Sequence, residues 1–109
     1  MAEFFFWSDN MRTEIQDKSL TIFLSGEIDH HSAAGIRSRA DSEIIKASPK
    51  ELILDFSGVG FMDSSGVGLV IGRYKLALSK GCRTAVRGLS DRDKKILMLS
   101  GLQNKIEFR

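Results

Sequence analysis

The feature that most constrains the fold is a short apolar segment in the middle of the chain, residues 52–56. Its sequence, LILDF, puts apolar side chains on both faces of an extended chain, as a central strand covered on both sides requires. Apolar residues recur at steps of three or four both before and after this segment, which is the period of a helix. Strands that alternate with helices at this density predict an α/β fold with a mixed sheet.

The periodicity predicts three helices. The apolar stripe of the first comprises Ala33, Ile36, Ala40, Ile44 and Ala47. Asp29 or Ser32 is suited to cap its first turn, and Pro49 lies just beyond its end. The stripe of the second, within residues 66–79, comprises Val67, Val70, Ile71, Tyr74 and Leu78. The third follows the sequence SDRD at residues 90–93, which resembles a capping box with aspartate in the reaching position.

The remaining strands are predicted at residues 11–15 and 19–24, as a hairpin, and at residues 83–87 and 106–108. The chain has 109 residues, which is the size of one domain. We therefore expect a single α/β domain at residues 11–109, with a mixed sheet of four or five strands and about three or four helices. Residues 1–10, with the aromatic run FFFW, are interpreted as a tail or strand that packs on the domain or mediates self-association.

Charge and cysteine content limit the classes of partner and the cellular setting that are expected. Residues 1–63 carry 6 Lys/Arg and 11 Asp/Glu, whereas residues 64–109 carry 10 and 3. The basic charges are scattered and have no interleaved aromatic residues, so solvated helix faces are favoured over a nucleic-acid surface. Cys82 is the one cysteine, and no signal peptide or spanning segment is visible. The expected setting is the reducing cytoplasm, with no membrane and no direct nucleic-acid contact.

The sequence FMDSSGVG, residues 61–68, follows the central strand and opens the second helix. The preceding GVGFMD fails the dinucleotide fingerprint because Asp63 replaces its third glycine, and no Gly-Lys-Ser/Thr follows to make a P-loop. Ser64 lacks the glycine that a nucleophile elbow needs two residues earlier. His30 and His31 are adjacent and diverge on a helix, which disfavours a metal site. Neither a metal nor a cofactor is expected.

Two interpretations of Ser64 remain open on this pattern. In the first, Asp63 or Ser64 is only the N-cap of the helix. In the second, Ser64 is a phosphate acceptor at a helix N-terminus, where backbone N–H groups and the macrodipole favour added negative charge. Asp63 would repel that phosphate, as would Glu27 and Asp29 if their loop lies nearby.

Three motifs carry a family resemblance. They are GEIDHHSA at residues 26–33, FMDSSGVGLVIGRYK at residues 61–75 and LSGL at residues 99–102. Together they resemble an anti-sigma factor antagonist of the STAS domain family, closest to the sporulation type of the sigma-F system. The likeness runs from about residue 11 to residue 108. The aromatic start is not part of the family pattern.

The resemblance implies a binding module in transcription regulation rather than an enzyme. The unphosphorylated form would bind an anti-sigma factor that is itself a serine kinase, with ATP or ADP bound by that partner, and so release its sigma factor. Ser64 matches the phosphorylated serine, and a PP2C-type phosphatase would restore its hydroxyl. The positions that match the partner-binding surface are Glu27, Asp29, His30, Asp63, Ser65 and Gly66.

Two alternatives are weighed against this hypothesis. One is a STAS-like module that senses a small molecule or a nucleotide, for which a lost acceptor or a basic, phosphate-gripping loop would be the signal. The other is a small serine hydrolase built from Ser64, His30 and Asp63. It lacks both the elbow and a convincing oxyanion hole.

Overall fold

The computed structural model describes residues 3–7 and 10–109, with side chains described from Asn10 onward. Its strands are β1 (Glu3–Trp7), β2 (Met11–Gln16), β3 (Ser19–Ile28), β4 (Glu51–Met62), β5 (Arg83–Arg87) and β6 (Glu107–Phe108). Its helices are α1 (His30–Ala47), α2 (Ser64–Ser79) and α3 (Asp91–Leu97), and the chain after α3, Met98–Leu102, is kinked at Gly101, whose φ is 92°. The predicted α/β fold with three helices is confirmed.

The strands form one mixed sheet in the order β1-β2-β3-β4-β5-β6. β1, β2 and β3 pair antiparallel, and β3 to β6 pair parallel. Residues 11–109 supply five of these strands, as expected, and β1, from the segment interpreted as a tail or strand, adds a sixth at the edge. β1 runs from Glu3 opposite Ile15 to Trp7 opposite Arg12, and it supplies backbone partners to the outer edge of β2.

All three helices cover one face of the sheet. The connections from β3 through α1, β4 through α2 and β5 through α3 move in one direction across parallel strands, and right-handed crossovers then place the helices on the same side. A single core cluster accordingly unites Ile36 of α1, Val70 of α2 and Leu97 of α3 with alternate residues of β4, such as Leu54.

The second face of β4 is buried without a helix over it in the described part of the chain. Asp55 is only 6% exposed there, and Arg87 of β5 donates from Nε to its Oδ2 at 2.6 Å. The Arg87 guanidinium also lies 5.7 Å from the ring centre of Phe23 on β3. Both faces of β4 are therefore buried, as expected. The second face is covered by side chains of the neighbouring strands.

Strand β4 is longer than the predicted 52–56. It continues through a glycine-containing segment to Met62, and its last residues pair with β3 alone, from Ser25 opposite Gly58 to Ile28 opposite Met62. The register shifts twice in this stretch. The result is a two-stranded extension beyond β5, and the candidate site lies at its end.

A buried ion pair connects α1 and α2. Arg73 of α2, 5% exposed, has its Nε 2.7 Å from Oδ1 of Asp41 on α1, and its Nη2 donates to Asp41 Oδ2 at 3.4 Å. Burial is the larger influence and lowers the pKa of Arg73, while the charge of Asp41 opposes it. In the described residues, no helix is both long and apolar enough to cross a membrane.

Candidate functional site

Two strand-to-helix junctions lie side by side at the carboxyl end of the sheet. Ile28, the last residue of β3, is opposite Met62, the last residue of β4, and the N–H of Asp63 donates to the Ile28 carbonyl oxygen at 3.1 Å. Asp29 and Asp63 therefore occupy equivalent positions on adjacent parallel strands. The sequence alone left open whether these two loops meet, and the register of β3 on β4 brings them together.

Asp29 caps α1 through a reciprocal capping box. Its Oδ1 accepts hydrogen bonds from the N–H groups of His31 and Ser32, both at 3.0 Å, and the Asp29 N–H donates to Ser32 Oγ at 3.0 Å. The hydrogen bond from the Ser32 N–H is the largest influence on the carboxyl and, with that of His31, holds the pKa of Asp29 below its ordinary value although burial opposes it. Asp29 is therefore ionised at neutral pH.

Asp63, and not Ser64, is the N-cap of α2. Its Oδ1 accepts from the Ser65 N–H at 2.7 Å, and its carbonyl oxygen accepts from the Gly66 N–H at 2.9 Å. Ser64 is then the first helical residue, with an exposed side chain whose hydroxyl makes no hydrogen bond to the described residues. Because the cap is made by its neighbour, the Ser64 hydroxyl is accessible and unused.

Gly66 permits the tight entry of α2 onto the sheet. It is buried, and a Cβ at this position would collide with Cγ of Met62 and lie 3.4 Å from Cγ2 of Ile28. Both neighbours belong to the core cluster. A side chain at residue 66 would therefore force either the buried Met62 side chain or α2 itself to shift.

A shallow groove runs between the first turns of α1 and α2, beside Ser64. Its volume is about 240 Å³, and its lining is His30, Ala33, Ala34, Arg37, Ser65 and Gly68. Ser65 is half-buried and turned into the groove, whereas Ser64 is exposed outside its lining. The two neighbouring serines thus have different surroundings, which the sequence could not distinguish.

The structure brings the predicted site residues to one edge of the molecule. Glu27 is exposed opposite Phe61 in the β3–β4 register, and His30 is exposed at the start of α1. No hydrogen bond joins Ser64 to His30 or Asp63 in the described residues, so the geometry gives no support to a hydrolase. A larger cavity of about 670 Å³ lies elsewhere, against residues such as Glu51, Arg83 and Arg109, and none of the predicted residues lines it.

Sequence reasoning missed two residues at this edge. Phe61 is 46% exposed, although it lies in a strand one residue before the buried Met62. Arg92, on α3, donates from Nη1 to the Met62 carbonyl oxygen at 3.5 Å. The available signal for Arg92 was its place in the first turn of a helix, where acidic residues are favoured.

Comparison with known proteins agrees with this geometry. The family model of the STAS domain matches residues 10–109. An anti-sigma F factor antagonist of Paenibacillus polymyxa is 39% identical to the chain over 83 residues, which are 76% of this chain and 71% of the relative.

Two solved structures share the fold. The anti-sigma factor antagonist SpoIIAA in its unphosphorylated form aligns with a TM-score of 0.73 at 30% identity, covering 91% of this chain and 86% of that one. The Bacillus cell fate determinant SpoIIAA in its phosphorylated form aligns with a TM-score of 0.73 at 32% identity, covering 91% and 90%.

Proposed function

The chain belongs to the STAS domain family and to its group of anti-sigma factor antagonists, and from that premise we propose that it is a phosphorylation-controlled binding module. Its unphosphorylated form binds an anti-sigma factor serine kinase in the cytoplasm and releases the sigma factor that the kinase holds. The kinase supplies the ATP, transfers a phosphoryl group to Ser64 and then dissociates. A PP2C-type phosphatase restores the hydroxyl.

One observation carries this proposal: the Ser64 hydroxyl is exposed at the first residue of α2 and makes no hydrogen bond to the described residues, while Asp63 makes the cap. A phosphoryl acceptor must be reachable by a partner's active site, and its modification should leave the fold intact. Ser64 meets both conditions, because converting its hydroxyl to a phosphate ester removes no hydrogen bond of the cap. That a relative with the same fold has been solved in phosphorylated and unphosphorylated forms supports the same assignment.

The surroundings of Ser64 explain how phosphorylation would end the complex. A phosphoserine adds about −1.5 to −2 charges at neutral pH. Asp63 is adjacent in sequence, and Asp29 lies at the matching position of the neighbouring strand. Desolvating three negative groups in one interface is costly, so the modified surface releases an acidic or apolar partner surface. The change is local and needs no rearrangement of the sheet.

The test is phosphorylation by the cognate anti-sigma factor kinase with Mg²⁺-ATP, followed by mass spectrometry of the intact chain and its peptides. We expect one phosphate, on Ser64, in the wild type and in Ser65→Ala, and no phosphate in Ser64→Ala. Ser65→Ala is the matched control because it removes the neighbouring hydroxyl. Undiminished modification of Ser64→Ala would refute the assignment.

A further inference from the structure

Arg92 brings a cation to the junction at which α2 begins. Its Nη1 donates to the carbonyl oxygen of Met62 at 3.5 Å and to Oδ1 of Asp93 at 3.0 Å. Met62 is two residues before Ser64, so the guanidinium lies against the same turn of chain that carries the Ser64 hydroxyl. Arg92 is the second residue of α3. This helix is distant in sequence from the turn that carries Ser64.

Peptide geometry places Arg92 on the opposite side of the turn from Asp29. The N–H of Asp63 points at the Ile28 carbonyl oxygen of β3. In a planar trans peptide, the Met62 C=O points the other way, and that is the oxygen that Arg92 contacts. A group attached to Ser64 therefore has the Asp29 carboxylate on its β3 side and the Arg92 guanidinium on the other.

Neither helix propensity nor packing accounts for Arg92. The first turn of a helix favours acidic residues, and its neighbours Asp91 and Asp93 follow that preference. The Arg92 side chain is 63% exposed, so burial does not hold it in place. In the described part of the chain, its Nε and Nη2 donate no hydrogen bond. These N–H groups form one edge of the planar fork that matches a phosphate.

The expected capping box of α3 is only half formed. Ser90 Oγ accepts from the Asp93 N–H at 3.1 Å, as a capping box requires. The Asp93 carboxylate accepts from Arg92 Nη1 instead of the Ser90 N–H in the described structure. Asp93 is itself buried, so it fixes one nitrogen of the guanidinium and leaves the rest turned outward.

We propose that Arg92 binds the phosphate on Ser64, an inference that rests on the proposed function. The Cα atoms of Met62 and Ser64 are at most about 7 Å apart, which a phosphoseryl group and an arginine side chain together span. Arg92 would exchange its long contact with the Met62 carbonyl oxygen for a bidentate pair with two phosphate oxygens. The guanidinium then stabilises the dianionic phosphate against the repulsion of Asp29 and Asp63.

The experiment measures the second ionisation of the phosphate by ³¹P NMR, with phosphoserine incorporated at residue 64 of the full chain during translation. The pKa of a free phosphoserine is about 6. We expect the Arg92→Gln variant to titrate about 0.5 higher in pKa than the Arg92 chain, because an exposed opposite charge has been removed. Lys94→Gln removes the same charge from an exposed position of α3 and is expected to leave the phosphate pKa unchanged.

Arg92→Lys distinguishes charge from shape. It keeps a cation without the planar fork and is expected to recover only part of the lowered phosphate pKa. Equal phosphate pKa values in wild type and Arg92→Gln would overturn the inference, and a wild-type value in Arg92→Lys would overturn the bidentate pair. Incorporating the phosphoserine directly separates the two proposals, because failure of a kinase to modify Ser64 would refute the proposed function without affecting this measurement.

Discussion

Asp29 and Asp63 are equivalent residues on neighbouring parallel strands: each follows the last residue of its strand, and each carboxylate caps the helix that begins next. Adjacent strands are about 4.8 Å apart, so the fold holds two carboxylates close together at one edge. Each is stabilised by backbone N–H groups of its own helix, which offsets their mutual repulsion. A negative charge added at Ser64 therefore lies near two carboxylates that the helix caps hold in place.

The close approach of Gly66 to the core gives a first prediction about stability. Gly66→Ala should lower the free energy of unfolding by about 1–3 kcal/mol, because the new Cβ collides with the buried Met62 side chain. Gly72→Ala is the control within the same helix, since a Cβ there has no atom within 4 Å. It should raise the free energy of unfolding by roughly 0.5–1 kcal/mol through helix propensity. Urea denaturation measures both, and equal effects of the two substitutions would contradict the packing argument.

The buried ion pair between α1 and α2 gives a second prediction. Asp41→Ala should destabilise the fold by about 2 kcal/mol, because it leaves the Arg73 guanidinium buried without its counter-ion. The cost is below that of a fully buried pair because the Asp41 side chain is 35% exposed. The double variant Asp41→Ala/Arg73→Met should recover most of the lost stability in urea denaturation. A double variant less stable than Asp41→Ala would show that Arg73 contributes through packing rather than charge.

Much of the site's backbone follows from local signals in the sequence. The stripe that ends near Ala47 and the capping types of Asp29 and Ser32 predict α1, and the structure has both capping bonds. The strand-to-helix junction at Asp63 is predicted in the same way. These features depend on period and on side-chain oxygens that accept local N–H groups, so they need no knowledge of distant contacts.

What the sequence could not predict depends on contacts between distant segments. The pairing of Ile28 with Met62 brings the two capping carboxylates together, and only the strand register determines it. Likewise, Arg92 reaches the Met62 carbonyl oxygen across 30 residues of sequence. The second half of β4 could not be predicted because it contains the glycines at 58 and 60, and glycine is depleted in strands. This half of β4 is a strand because it pairs with β3.

Asp55 gives a third prediction, about acid stability. Burial alone would raise its pKa, but the hydrogen bonds from Arg87 and the Ser57 N–H, with the Arg87 charge, leave the pKa of Asp55 below its ordinary value. A depressed folded-state pKa contributes stability above the unfolded-state pKa of about 3.9, and that stability is lost as the pH falls through the folded-state value.

Asp55→Asn should therefore cost about 1 kcal/mol of unfolding free energy near pH 7 and progressively less below pH 4. The measurement is urea denaturation at several pH values. Asp17→Asn removes an exposed carboxylate from the turn after β2, at a left-handed position that asparagine tolerates, and should leave stability unchanged near pH 7. A cost for Asp55→Asn that is the same at pH 3 and pH 7 would rule out the ionic contribution.

The paired capping residues give a fourth prediction, about partner binding under the proposed function. Ser64→Asp should weaken binding to the anti-sigma factor kinase about tenfold or more, because it adds a charge beside Asp63 and Asp29. Ser79→Asp adds the same charge at the other end of α2, about 22 Å away, and should leave the dissociation constant unchanged. Titration calorimetry at fixed ionic strength compares the two variants.

Asp29→Asn then tests which neighbour transmits the repulsion. Asparagine caps helices nearly as well as aspartate, so α1 keeps its first turn while the carboxylate charge is lost. If Asp29 takes part in the repulsion, Ser64→Asp will weaken binding by a smaller factor in the Asp29→Asn background than in the wild type. An identical factor in both backgrounds would assign the repulsion to Asp63 or to the partner, since the cap itself is unchanged.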